Sequence, residues 1–326
     1  MKKTGLILSP NQRINLNTDS TRTRDIKGIR DYFIEIGYDV DIASYGKSRS
    51  FYDHGVINDC DTDYNLYDAI IVYNDTINFF GGQIKDHTVQ QVVKLSKYKG
   101  DIFYVFTDPK LYKTIGQSLF NKKLITKDIL DDYSNIQWNI IWPGVGDLPN
   151  FNGKIKQAIK VDILKYANRY LNNNRCDLDF DMREYDLVYY GDYRDTRIKT
   201  FDRFFNSNIK KLMIGMSGSN YPNSNYSKKV KQSDLPNVVC HAKSSLTCGD
   251  KSHNNNITTS RFYENNLYGV VNFIDLEYDL DRKLYKSEFL KDFLYVSSSK
   301  DLEDRLSRLD KDLFLKIISL QDKEIF

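Results

Sequence analysis

The feature that most limits how this chain can fold is an alternation of short apolar runs with amphipathic helical stretches. Apolar runs lie at Gly5–Leu8, Val40–Ala43, Ala69–Tyr73, Ile102–Phe106 and Ile140–Trp142. Several end in Asp, Asn or Pro-Gly, as strands do where they run out into loops. Between them Ile26, Ile29, Phe33 and Ile36 recur at helical spacing and Gly37 closes the pattern; Val89, Val92 and Val93 mark a second helix ending near Gly100. Strands alternating with helices predict an α/β fold, a parallel sheet covered by helices on both faces.

Residues 153–172 read as a long helix, with Ile159, Ile163, Tyr166 and Tyr170 on one side. The polar run Asn172-Asn173-Asn174-Arg175 follows, and a boundary near residue 178 divides the chain into domains 1–178 and 179–326. The alternation then restarts. Strands are expected at Leu187–Tyr190, Leu212–Met216, Val271–Leu276 and Phe293–Val296, a helix at Thr196–Phe205 and a loop at Ser217–Ser233. A C-terminal helix carries Leu302, Leu306, Leu309, Leu313 and Ile317 on its apolar side. Each half reads as its own doubly wound domain, with a ligand site expected in the cleft between them.

A length of 326 residues suits two domains. Lys plus Arg is 47 against 44 for Asp plus Glu, a formal charge of +3, which excludes binding to nucleic acid or membrane by bulk charge and leaves room for a local basic groove. No apolar run is long enough to span a bilayer, and the opening MKKTGLILSP lacks the core of a signal peptide. The four cysteines, Cys60, Cys176, Cys240 and Cys248, have no CxxC spacing and read as free thiols of a reducing compartment. Cys240, His241 and Cys248 lack a fourth ligand for zinc, and the histidines form no HxxxH or HExxH, so no protein-built metal site is expected.

Four stretches carry residues suited to chemistry. Asp101–Asp108 is a strand ending in a carboxylate before Pro109; Asp108 is either a general base at a strand end or a turn residue. Asn78-Phe79-Phe80-Gly81-Gly82 follows an apolar strand. Its aromatics either reach a base or duplex from a bent, glycine-turned loop, or belong to the core. Gly191-Asp192-Tyr193-Arg194-Asp195-Thr196-Arg197 joins a strand to a helix start. Its backbone N–H groups and two arginines favour a phosphate, the alternative being a solvated helix end. Arg261 and Glu264 stand three apart on an expected helix, where one neutralises a phosphate and the other accepts from a ribose, or the two simply pair. Lysines cluster at Lys110, Lys113, Lys122, Lys123 and Lys127 and again at Lys228, Lys229 and Lys231, either tracking a DNA backbone or solvating the surface. No GxGxxG or GxxxxGK[ST] is present.

Together these stretches resemble the DNA beta-glucosyltransferases of T-even phages. The resemblance is carried by DAIIVYNDTINFFGG (68–82), IFYVFTD (102–108), DLVYYGDYRDTR (186–197) and GDKSHNNNITTSRFYE (249–264), with support from GYDVDIASY (37–45) and the helix beginning KDLEDRL. It implies two Rossmann-like domains facing across a cleft, a GT-B type fold. It also implies inverting transfer of glucose or a related sugar from UDP-glucose to the hydroxymethyl group of a flipped pyrimidine in double-stranded phage DNA. Asp108 then matches the catalytic base. Arg194, Arg197 and Arg261 match diphosphate-binding arginines beside Gly191. Glu264 matches the ribose-holding carboxylate, Val230 the backbone that reads the uracil, and His253 an aromatic donor contact. Asn78, Phe80 and Gly82, with Lys110 and Lys113, fall on the DNA side. Asp25, or Asp19 before it, stands near the position of a family glutamate beside the sugar. Asp192 replaces a family serine, and a carboxylate next to a diphosphate needs a cation or an arginine to screen it. The resemblance further implies a divalent cation, Mg or Mn, held mainly through the diphosphate, and a monomer in the cytoplasm of an infected bacterial host. The alternatives are a transferase of the same fold with a non-DNA acceptor and a non-catalytic nucleotide- or DNA-binding relative.

Overall fold

The computed structural model describes residues 2–9, 21–44, 56–73, 86–106, 115–142, 148, 151, 153–171, 178–249 and 259–325. These residues divide into two compact units, one through Tyr170 and the other from Leu171.

The first unit contains β1 (Lys3–Ser9), α1 (Thr21–Glu35), β2 (Tyr38–Ser44), β3 (Val56–Asn58), β4 (Ala69–Tyr73), α2 (Asp86–Lys97), β5 (Asp101–Val105), α3 (Gly116–Asn121), α4 (Lys127–Ser134), β6 (Gln137–Trp142), β7 (Lys154–Lys160) and α5 (Ile163–Asn168). Its seven strands pair in parallel in the order β3-β2-β1-β4-β5-β6-β7. The central strands are buried on both faces, which is why β4 reads Ala-Ile-Ile-Val-Tyr without alternation. One face holds Ile7, Ile71, Phe103 and Ile141 against Ile26, Ile29 and Phe33 of α1 and Ile163 of α5. Here α1 and α5 approach so closely that a Cβ on Gly28 would lie 2.5 Å from the backbone nitrogen of Ala167. On the sheet, Trp138 meets Tyr133 of α4 edge-on at 6.0 Å and Tyr104 at 5.8 Å.

The second unit contains β8 (Tyr185–Tyr190), α6 (Ile198–Phe205), β9 (Lys211–Ile214), β10 (Ser224–Ser227), α7 (Leu235–Val239), β11 (Ala242–Thr247), α8 (Ser260–Leu267), β12 (Val271–Asp275), α9 (Glu288–Leu294), β13 (Tyr295–Val296), α10 (Ser299–Ser307) and α11 (Lys311–Ile325). Its six strands are again all parallel, ordered β10-β9-β8-β11-β12-β13. Both sheets thus start at a central strand, wind outward, then cross back to fill the other side, the dinucleotide-fold order. A buried polar network ties α11 to this sheet. Gln321 Oε1 accepts from the Asn272 backbone N–H at 3.1 Å, and its amide donates to the Val270 carbonyl at 3.1 Å. The Asn272 side chain accepts from Thr247 at 2.8 Å and from Asn265 at 3.0 Å.

The α/β class and paired doubly wound sheets agree with expectation; several elements differ. The long helix expected over 153–172 is the edge strand β7 followed by the short α5. Asp162 separates them by accepting from the Lys165 N–H at 3.1 Å, and Lys154, Lys156 and Lys160 protect the open edge of β7. The loop expected over 217–233 contains β10. The single C-terminal helix is two, because Asp310 caps a fresh start by accepting from Leu313 N–H at 2.8 Å. Of the strand expected at 293–296 only Tyr295–Val296 is extended; Phe293 and Leu294 form the end of α9.

Candidate functional site

In the second sheet the winding direction reverses between β8 and β11, and a crevice opens beyond the C-terminal ends of strands at such a point. The chain leaving β8 passes through Gly191, whose φ of +149° disfavours any side chain, and a Cβ there would lie 2.8 Å from Arg261 Nη2. The chain leaving β9 passes through Gly215 at φ +76°. A Cβ at that position would meet the Gly191 carbonyl at 2.9 Å and Lys229 Cγ at 3.2 Å. Two glycines at adjacent strand ends therefore allow Arg261 and Lys229 to close on bare backbone.

Four cations gather here. The Arg261 guanidinium lies 4.8 Å from the centre of the Tyr189 ring and 5.3 Å from that of Tyr190. Arg197 is 9% exposed, and its Nη1 donates to the Tyr189 hydroxyl at 3.4 Å. The two arginines thus converge on one tyrosine. Arg194 is exposed and turns instead to Asp192, with 3.4 Å between Nη2 and Oδ2, while Lys229 Nζ lies 2.5 Å from Asp192 Oδ1. The Lys229 hydrogen bond, helped by Arg194, holds the Asp192 carboxyl below the usual carboxylate range against the opposing effect of partial burial. Cys248, buried just past β11, has its thiol pushed up to about 11 by burial, opposed by the nearby Arg261. Cys240 precedes β11 and Cys248 follows it, so the strand itself holds the two apart.

One helical turn beyond Arg261 on α8, Glu264 is 6% exposed. The Tyr190 hydroxyl donates to its Oε2 at 3.3 Å, and Gln232 Nε2 donates to its Oε1 at 3.1 Å. The same Gln232 nitrogen donates to the Tyr268 hydroxyl at 3.1 Å. Burial, reinforced by the Glu264 charge, holds the Tyr190 hydroxyl well above its ordinary value, so it remains a donor. Val230 packs against the cluster that contains Tyr190, Tyr268 and Leu235. Gly191, Asp192, Arg194, Arg197, Val230, Arg261 and Glu264 therefore all belong to one sheet end and its covering segments.

In the first sheet the reversal lies between β1 and β4. Asp25 of α1 is 5% exposed and accepts from the hydroxyl of Tyr73, the last residue of β4, at 2.8 Å. Asp108, Asn78, Phe80, Gly82, Lys110, Lys113 and His253 lie outside the described residues. Among the described residues no group of three or more His, Cys, Asp or Glu side chains could hold a metal. Asp192, the carboxylate beside the expected diphosphate position, faces Lys229 and Arg194. No helix among the described residues is long and apolar enough to cross a membrane.

In the sequence Lys229 reads only as part of a basic loop, and Gln232, Tyr189 and Gly215 do not stand out. Gly215 offered the clearest signal, a glycine directly after an apolar strand, as at Gly191.

The fold matches solved structures over nearly its whole length. The T4 phage beta-glucosyltransferase in complex with UDP and Mn2+ superposes with a TM-score of 0.73 at 23% identity, covering 99% of this chain and 94% of that one. The same phage enzyme with its UDP-glucose substrate gives 0.72 at 22% identity with the same coverage. The DNA beta-glucosyltransferase of Enterobacteria phage T4 is 26% identical over 306 residues, 84% of this chain and 80% of that protein. Two all-parallel domains and these matches define a glycosyltransferase of the GT-B fold, an enzyme that transfers a hexose. The family model described as bacteriophage T4 beta-glucosyltransferase matches residues 2–186, and the chain belongs to that family.

Proposed function

We propose that the protein transfers glucose, or a related sugar, from a UDP-sugar to the hydroxymethyl group of a modified pyrimidine in double-stranded phage DNA, with inversion at the sugar. The observation that carries the donor half is the convergence of Arg197 and Arg261 on Tyr189, one helical turn from the enclosed carboxylate of Glu264. Guanidinium groups suit a diphosphate and a carboxylate suits the paired hydroxyls of a ribose. Residues 179–326 form the donor domain in this reading and residues 1–178 the DNA domain.

The donor diphosphate lies against Gly191 and meets Arg194, Arg197 and Arg261. Val230 reads the uracil through its backbone, His253 closes over the donor, Glu264 holds the ribose, and Asp25 meets the sugar. Phe80, Asn78, Gly82, Lys110 and Lys113 engage DNA whose target base is flipped out, an extrusion costing a few kcal/mol that these contacts offset. Asp108 takes the proton of the hydroxymethyl group as its oxygen attacks the anomeric carbon. The bond from that carbon to the diphosphate oxygen breaks, and UDP leaves with the electron pair. One carboxylate base suffices for such inversion. The arginines meet the charge that grows on the leaving group, each charged hydrogen bond contributing about 1.5–3 kcal/mol. A divalent cation, Mg or Mn, would come with the diphosphate and supply further neutralisation there. The setting is the cytoplasm of an infected bacterial host, and the enzyme acts as a monomer.

The test is mass spectrometry of nucleosides from hydroxymethylcytosine and hydroxymethyluracil duplexes incubated with the protein and a panel of UDP-sugars. A hexosylated nucleoside is expected from the wild type and none from Asp108→Asn, which still binds UDP. Transfer to a non-DNA acceptor with none to either duplex would overturn the acceptor assignment.

A further inference from the structure

We infer that Gln232 is a positioning residue that fixes the Glu264 carboxylate for the donor ribose and couples ribose recognition to the segment that meets the base. The inference rests on the ribose reading of Glu264 given above and assigns to that site a residue from outside its helix.

A carboxyl group as enclosed as that of Glu264 needs hydrogen-bond donors, and its orientation follows from where those donors stand. They stand on two sides. Tyr190, at the end of β8, meets Oε2 at 3.3 Å, and Gln232, from the segment between β10 and α7, meets Oε1 at 3.1 Å. The amide nitrogen of Gln232 also meets the hydroxyl of Tyr268, which is 1% exposed and anchored in the core. Two N–H groups of one planar amide diverge to two fixed oxygens, so the amide has one favourable orientation. The reversed amide would set its oxygen against a carboxylate oxygen.

The segment carrying Gln232 makes three successive attachments. Lys229 reaches Asp192, Val230 packs against the core cluster that contains Tyr190 and Tyr268, and Gln232 reaches Glu264. Base, ribose and diphosphate contacts are thereby joined through four residues of chain. Without the Gln232 amide the carboxyl group loses a support that sets its plane. Its two oxygens then no longer face both ribose hydroxyls at once. The selective loss falls on ribose recognition, leaving the diphosphate contacts of the arginines in place.

The test is calorimetric titration of the full chain with UDP and with dUDP, which lacks the 2′-hydroxyl, for the wild type, Q232M, Q232N and E264A. The wild type binds UDP more tightly than dUDP, and E264A loses that preference. Q232M and Q232N reduce the preference by about tenfold, the size expected for one charged hydrogen bond, while their affinity for inorganic pyrophosphate stays at the wild-type level. A residue that merely filled space would weaken UDP and dUDP alike. Should Q232M fail to fold, Q232N, which keeps an amide on a shorter stem, carries the same comparison. Wild-type preference in the Gln232 variants together with its loss in E264A overturns the inference and leaves the ribose reading standing. Preference retained in E264A overturns the ribose reading and the inference with it.

Discussion

Lys229 Nζ lies 2.5 Å from one carboxylate oxygen of Asp192, and Arg194 Nη2 reaches the other at 3.4 Å. Asp192 thus engages two of the cations at the end of β8 with its own charge. An entering diphosphate competes with it for them. Asp192→Asn is expected to tighten UDP binding by about two- to fivefold, the range for partly exposed ion pairs, and to steepen its dependence on salt. Calorimetry at low and high ionic strength checks this; weaker binding by the variant would show that Asp192 orients the cations instead of competing for them.

Arg261→Lys keeps the positive charge and discards the fork and the flat face that rests over Tyr189. UDP affinity should fall by about tenfold or more, as expected for loss of a charged bidentate contact. Unchanged affinity would mean that charge alone, and not guanidinium geometry, recruits the donor.

Arg203 Nη2 lies 2.7 Å from each oxygen of Asp275, yet burial outweighs that pairing and pushes the Asp275 carboxyl up to about 6. The folded protein therefore holds this proton more tightly than the unfolded chain does, where an aspartate titrates near 3.9. The contribution to stability is fully present below about pH 4, falls as pH rises towards about 6, and is absent above it; its upper limit is about 3 kcal/mol. Urea unfolding of wild type and D275N across that window should give a stability difference that declines with rising pH. A flat difference would show that Arg203 cancels the effect of burial.

Gly28→Ala should destabilise the first domain by about 1–3 kcal/mol, the usual cost of overpacking, because the new methyl group meets the Ala167 backbone and not a side chain that can rotate away. A lowered urea midpoint reads this directly, and an unchanged midpoint would mean that α1 and α5 can separate without loss.

The central strands were legible in the sequence because they are buried on both faces and written as unbroken apolar runs, as at Ala69–Tyr73 and Leu187–Tyr190. Apart from the three-residue β3, the strands that escaped notice are interrupted by polar residues. In β11, Lys243, Ser244 and Ser245 interrupt the apolar signal, and Ser244 instead donates to the Asp186 carbonyl at 2.6 Å. In β7, Ile159 matched the helical period of Ile163 and Tyr166 across a break that only the Asp162 cap reveals. Arg261 and Glu264 were legible as a helical pair on α8. The partner Gln232 was not, because it lies 32 residues earlier and only the tertiary fold brings the two together.

Gln321 of α11 completes the hydrogen bonding of Asn272 in β12 from 49 residues further along the chain. The two domains therefore have different assembly schedules on a ribosome. The first can close once the chain has emerged through Tyr170. The second cannot complete the hydrogen bonding of β12 until α11 has emerged, so its sheet stays unfinished for longer.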